Sequence, residues 1–361
     1  MFNPARLVLA RLRRKLTKKE LAERARLSHK TIIRYESSGT EPTAENLAVL
    51  ARVLGFPESF FLGTDVDEVP AEAVSFRSLK ALLVRDRDSA LAASTFAFML
   101  NDWISERYAL PEADLLSFKE DIDPESAARL LRQKWALGER RVSNMLHLLE
   151  SKGVRFFSLN EDTRALDAFS MWRRDIPFVF LNTKMTSERS RFDAAHELGH
   201  LVLHRHGGPQ GGRVAEEQAN AFASAFLMPR ADVIAKLPRI RFLSEIVQAK
   251  KFWGVSVAAL NHRLHKIGVT TDWQYRTFCI QINQQFGQTE PSGMLRERSI
   301  LWEKVFSALR AEKITKNKLA DLVGLPAAEV ETLVFQLTNM LSIDGNGAGS
   351  GVPRANLSVV K

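Results

Sequence analysis

Within the run RFDAAHELGHLVLH, three residues, His196, Glu197 and His200, have the types and spacing that hydrolytic metal chemistry needs. On a helix, positions i and i+4 lie about 5–6 Å apart on one face. Two imidazoles placed this way can bind one zinc ion at about 2.0–2.1 Å. Glu197, beside the first ligand, reaches a water on the metal. Zinc lowers the pKa of that water, and Glu197 takes its proton as the water attacks a carbonyl. A bare HExxH pattern also arises on surface helices by chance. Here the flanking Ala194, Ala195, Leu198 and Gly199 are small or apolar, and Leu201 and Val202 continue the apolar face, as a buried helix requires. Gly199 leaves room for a neighbouring segment to come close.

A catalytic zinc needs a third protein ligand and one open position. The run AEEQANAFASAFLMP, which begins at Ala215, offers Glu216 and Glu217. Glu216 is preferred, because it shares a helix face with Asn220, which can hydrogen-bond a ligand histidine and fix its tautomer. Ala219, Phe222, Ala223 and Phe226 form the face expected against the HExxH helix. His204, two turns beyond His196, is expected as a helix-end histidine or a partner of a ligand, with a role as an outer metal ligand as the alternative, and His206 as a loop residue. No side chain stands out as the electrophile that would stabilise an oxyanion, so zinc itself is the main one.

The surrounding pattern supplies the elements that must hold these residues. Ser187 opens the HExxH helix. VRFFSL (154–159), FSMW (169–172) and PFVFLN (177–182) read as strands rich in β-formers. The last two offer a possible free edge to which a peptide substrate can add, against the alternative of an ordinary covered sheet. Upstream, 76–150 has helical patterning, with Leu91, Phe96, Phe98, Leu100, Trp103 and Ile104 in a strongly apolar helix, then helices over 127–135 and 142–149. HGGPQGGR (206–213) is a Gly-rich loop, and a helix spans 215–226. The chain is mixed beyond residue 240 and helical again from Ile300 to Leu337. The expected divisions are 1–62, a linker at 63–75, 76–240, 241–340 and a Gly/Ser-rich flexible tail at 341–361. The expected fold class is mainly α with a small β-sheet (α+β), all-α at the N-terminus and helical at the C-terminus. A weak internal repeat is present: TKKELA at 17–22 lines up with TKNKLA at 315–320, Leu27 with Leu325 and Ile32 with Val330, all at one offset. Both are helix-turn-helix patterns. The second has Pro326, Ala327, Ala328 and Glu329 where a DNA-reading helix needs donors, so packing or pairing is its expected role.

Composition narrows the class. No stretch of about 18 apolar residues exists, which argues against a membrane span, and the charged N-terminus is no signal peptide. A single cysteine, Cys279, excludes an internal disulfide framework and a cysteine-rich zinc site. A cytoplasmic protein is expected. The net charge is +9, and residues 1–35, with eleven Lys/Arg against Glu20 and Glu23, carry all of it. Charge confined to one small segment points to phosphate contact there.

That segment, LTKKELAERARLSHKTIIRYESSGTEPTAENLAVLARVLG, resembles the lambda-repressor-like, XRE-type helix-turn-helix. In that fold the third helix enters the major groove. The resemblance implies His29, Lys30 and Arg34 as base readers and Thr31 and Lys18 as phosphate contacts, with Tyr35 and Glu36 structural. Lys18 stands where the family usually has Gln. Binding to a palindromic DNA operator as a homodimer is expected, since such domains usually bind in pairs. AHELGH followed by E-x-x-A-N-x-F-A-x-x-x-L-M-P resembles the ImmA/IrrE metallopeptidases, over roughly residues 76–230. The resemblance implies a gluzincin-like core, with His196, His200 and Glu216 on Zn2+, Glu197 as base and a repressor protein as substrate. The commoner form is E-x-E-A-N, and Gln218 in place of its second acid supports Glu216 as the ligand. The expected function is a DNA-binding regulator that cleaves a repressor or its own chain. The alternatives are a regulator whose zinc fold senses a ligand or partner without proteolysis, and an antitoxin-like or phage-derived immunity repressor.

Overall fold

The computed structural model describes residues 1–37, 40–67, 69, 83–118, 120–159, 167–205, 212–287 and 289–338. The greater part of the expected linker, the loop at 206–211 with His206, and the tail from 341 lie outside the described residues. The architecture is mainly helical with one three-stranded sheet.

The N-terminal helices are α1 (Pro4–Arg13), α2 (Lys18–Ala25), α3 (His29–Glu36) and α4 (Ala44–Leu54). Each begins at a side-chain cap: Asn3, Thr17, Ser28 and Thr43 accept backbone N–H groups of the first turn. Thr17 and Glu20 complete a reciprocal capping box. Leu7, Leu21, Ile32, Leu50 and Leu54 fill the space between the helices.

A long helix, α5 (Val84–Ser105), is the spine of the molecule. It packs against α1 on one side. Phe96 joins Phe56 and Phe60 there in an aromatic cluster, with ring centroids 5.5 and 5.9 Å apart. After α6 (Pro124–Lys134) comes α7 (Met145–Ser151). It starts three residues later than the periodicity predicts, because the Asn144 side chain caps it.

Strands β1 (Arg155–Leu159), β2 (Ala168–Arg173) and β3 (Ile176–Asn182) form a sheet of order β1-β3-β2, with β3 parallel to β1 and antiparallel to β2. This corrects part of the substrate-edge expectation. β3 is central and paired on both sides, so among the described residues only β2 of that pair is an edge strand.

Helices α8 (Ser187–Leu203) and α9 (Gly212–Leu227) pack along each other beside the sheet. Gly199 is what lets them meet: a Cβ there would lie 3.2 Å from the Ala219 backbone and from the Phe222 ring. The segment after residue 240 is not mixed but helical: α10 (Arg230–Lys236) leads into α11 (Leu243–Trp253), α12 (Val257–Lys266) and α13 (Asp272–Phe286). On α13, Phe278 alone among the described residues is buried, which blurs its helical apolar signature.

The last helices, α14 (Ile300–Ala311), α15 (Lys316–Val323) and α16 (Ala327–Val334), repeat α1 to α3 element for element. The match extends to the backbone. Lys15 and Lys313 both have φ 57°, and the left-handed Arg26 after α2 corresponds to Gly324 after α15. The second copy is turned inward, with α16 packed on β1 and α5. Ser158 of β1 donates to the Thr332 carbonyl. Glu329, at the position of Thr31, is buried and accepts ion pairs from Arg13 (2.8 Å) and Arg14 of α1. The helix that would read DNA in the second copy is therefore a packing surface.

Candidate metal centre

α8 presents His196 and His200 toward Glu216 on α9. The His196 and His200 Nε2 atoms are 3.1 Å apart, and the Glu216 oxygens lie 3.4 and 3.5 Å from them. Ligands at about 2.0–2.1 Å in a tetrahedron are about 3.3 Å from one another. The three residues therefore fit a zinc ion in spacing and in donor type. They are the three-residue group among the described residues that could hold a metal. Glu217, the rejected alternative, points elsewhere and pairs with Arg213 at 2.6 Å.

The ring nitrogens turned away from this triangle are held. His196 Nδ1 is 3.0 Å from the Asn220 Oδ1, the contact expected of Asn220. His200 Nδ1 is 2.9 Å from His204 Nδ1; His204 Nε2 is 3.0 Å from Gln218 Oε1; and Gln218 Nε2 donates to Asp121 at 3.0 Å. The polarity of this chain follows from its end. A carboxylate only accepts, so Gln218 gives Asp121 its N–H and turns its oxygen to His204 Nε2, which must donate. His204 Nδ1 is then an acceptor and His200 Nδ1 a donor. That leaves the His200 Nε2 lone pair facing the metal position. Gln218, the departure from the usual acid, is thus a relay between two groups of opposite polarity.

Electrostatics agree with a site made for a cation. Burial alone would raise the Glu216 carboxyl, but hydrogen bonds and charge from His196 and His200 outweigh it and hold it far below the usual range. Burial works against a charged His196, yet the hydrogen bond to Glu216 and the nearby carboxylates bring its pKa above the ordinary value. Asp193, one turn before Glu197, is pushed up to about 7 by burial and by Asp167.

Glu197 is buried, and its Oε2 accepts from Ser170 of β2 at 2.6 Å. Among the described residues no hydrogen bond reaches its Oε1. Glu197 lines a cleft of about 1080 Å³ together with His196 and Glu216 of the metal group, and the wall of this cleft includes Ala168 at the start of β2 and His262 of α12. Burial, and after it the charge of Lys266, lower the His262 pKa. Sequence patterning did not single out Ser170, Asp121 or His262. Ser170 left one trace, as the lone polar residue in the FSMW strand.

On the N-terminal helices, His29, Lys30 and Arg34 are exposed along α3, and Thr31 is half-buried with its hydroxyl 2.8 Å from Ser28. The Lys18 ammonium is 3.3 Å from Glu36, which Arg11 also grips at 2.5 Å. The basic surplus is also less available than its count implies. Arg6 donates to the Thr64 and Phe60 carbonyls, Arg13 and Arg14 pair with Glu329, and Lys15 pairs with Asp86. Of the eleven cations in 1–35, these four are engaged within the protein, as are Arg11, Lys18 and Lys19, the last 4.0 Å from Glu23.

Residues 149–265 match the family model of the IrrE N-terminal-like domain, a span holding His196, Glu197, His200 and Glu216. Residues 7–61 match a helix-turn-helix model. No curated protein matches the chain. Among the described residues, no helix is long and apolar enough to cross a membrane. The first match points to a peptidase-related function and the second to a DNA-binding regulator, so the chain joins an N-terminal XRE-type helix-turn-helix to an ImmA/IrrE-type domain.

Proposed function

We propose that the chain is a transcriptional regulator with a zinc-dependent endopeptidase, which cleaves a repressor protein or itself to control transcription. The observation that carries this is the triangle of His196, His200 and Glu216, with His196 and Glu216 sharing one cleft with Glu197. Zinc, when bound, supplies a Lewis acid that activates water and polarises a carbonyl. His196, His200 and Glu216 hold it, and Asn220 and His204 fix the two ring tautomers. Ser170 anchors one oxygen of Glu197 and leaves Oε1 to accept the proton of the attacking water and return it to the leaving amine. Among the described residues β2 pairs only with β3, so its outer edge, which begins in the cleft, can hold the substrate backbone in extended form. His29, Lys30 and Arg34 contact base edges, with Thr31 on phosphate, and a homodimer takes a palindromic operator. Lys18 joins them only by leaving Glu36.

Glu197→Gln tests the reading. The variant and the wild type should both hold about one zinc per chain by elemental analysis, while Glu216→Ala should lose it. A general base contributes about 10²–10⁴ in rate, so Glu197→Gln should abolish regulation of a reporter promoter. Unchanged regulation with zinc retained would sink proteolysis and leave a ligand- or partner-sensing regulator.

A further inference from the structure

A second cavity, of about 820 Å³, shares no lining residue with the cleft and opens between α6, the end of α9, α10 and α12. Its walls are unusually rich in arginine: Arg129, Arg132, Arg140, Arg230 and Arg263. Two carboxylates face them, and one is already matched. Glu125 takes both terminal nitrogens of Arg263, at 3.0 and 2.7 Å. Glu139, with Asp232 near Arg132 and Glu125 near Arg230, still leaves the four other guanidinium groups in excess.

Arg132 is the recessed member. It is buried, and its N–H groups go to carbonyls: Nε to Gly138 (2.9 Å), one terminal nitrogen to Phe226 (2.5 Å) and the other to Arg140. Three of five donors are engaged, which leaves one N–H on each terminal nitrogen for an occupant. The same bonds shape the site, since they hold the turn that carries Arg140. Arg129, Arg140 and Arg230 are exposed at the rim, and among the described residues none has a carboxylate in ion-pair distance. Like charges gathered around one concavity repel unless an anion joins them, and guanidinium forks match phosphate oxygens. Ala136, Ala225, Pro229 and Ile234 add an apolar wall. The volume is that of a small-molecule site, and a charge as recessed as Arg132 lies beyond the reach of a DNA duplex.

We infer that this cavity binds a phosphorylated small molecule of nucleotide size, with its phosphates on Arg129, Arg132, Arg140 and Arg230. The occupant acts on the metal-binding helix. Arg132 holds the Phe226 carbonyl at the end of α9, and Arg263 holds that of Met228 at 2.9 Å. α9 is the helix that presents Glu216 and Asn220.

The test is calorimetric titration of ADP into the full chain, with adenosine as the phosphate-free control. ADP should bind one to one, and adenosine should give no heat at the same concentration. Arg129→Ala, Arg140→Ala and Arg230→Ala, exposed positions that leave the core intact, should each weaken ADP at least about tenfold, the scale of one charge-assisted contact. A Lys30→Ala/Arg34→Ala variant should bind ADP like the wild type. Absence of ADP binding at millimolar concentration, equal binding by the rim variants, or loss of binding in the Lys30/Arg34 variant would each overturn the assignment. None of these readouts depends on peptidase activity.

Discussion

Gln218→Leu should weaken zinc binding although Gln218 touches no zinc ligand. In the wild type its oxygen accepts the His204 Nε2 proton, so that His204 Nδ1 is left to accept from His200. Leucine removes that acceptor. The His204 proton can then move to Nδ1, where it opposes the His200 N–H and disturbs the tautomer that aims a lone pair at the metal. Loss of an outer partner typically costs about 10–100-fold in metal affinity. One ring stands between Gln218 and His200, so the lower end applies: about tenfold, or about 1.4 kcal/mol. Asn220→Ala acts directly on His196 and should fall nearer a hundredfold. Gln218→Glu keeps an acceptor for His204 and sets its charge against an exposed Asp121, so it should stay within about threefold of wild type. Competition against a chromophoric zinc chelator at neutral pH would rank the three, with circular dichroism to show that each variant is folded. Gln218→Leu within twofold of wild type, or Gln218→Glu weaker than Gln218→Leu, would refute the relay.

Gly199→Val should force α8 and α9 apart at the 3.2 Å contact with Ala219, costing about 1–3 kcal/mol and lowering zinc affinity with it; denaturant unfolding with unchanged stability would rule out this packing. In metal-free protein, the raised His196 pKa means stability present below the unfolded value of about 6.5 and lost as pH rises through the folded one. The first thermal transition should therefore fall between pH 6 and 8, while zinc affinity, which needs neutral imidazoles, rises over the same interval; a flat profile in metal-free protein would contradict the pairing with Glu216. Arg34→Ala should weaken operator binding and relax its specificity, whereas Lys18→Ala should leave the salt slope unchanged if Lys18 stays on Glu36; a slope reduced by about one would place Lys18 on phosphate after all.

The local grammar of the chain was legible because it is written in neighbouring residues. HExxH spacing, the caps at Thr17 and Ser28 and the alternation of β-formers each act over a few positions, and the elements lie where these signals put them. The partner face of α9 was legible too, because Ala219 and Phe222 follow a helical period against Gly199. What escaped depends on residues far apart in sequence. Asp121 meets Gln218 across 97 positions, and Glu329 meets Arg13 across 316. The count of cations in 1–35 was correct, but a charge in sequence does not declare which carboxylate it will find. α13 escaped because a helix with one buried side chain leaves almost no periodic trace.

The two helix-turn-helix copies also constitute a double substitution already made. Where the first copy buries the Arg11–Glu36 ion pair, the second has Leu309 and Val334, both fully buried on the same backbone. One fold thus accepts either solution, as expected if desolvation of a buried pair cancels much of its attraction. The polar version leaves a liability that the apolar one lacks: Glu36 also captures Lys18, whereas Lys316, its counterpart, pairs with Glu331 instead. Arg11→Leu/Glu36→Val should therefore fold as well as the wild type, and it would release Lys18 to any phosphate that comes within reach. Ion-pair chemistry at the base of the first copy would then be a throttle on DNA affinity rather than a strut.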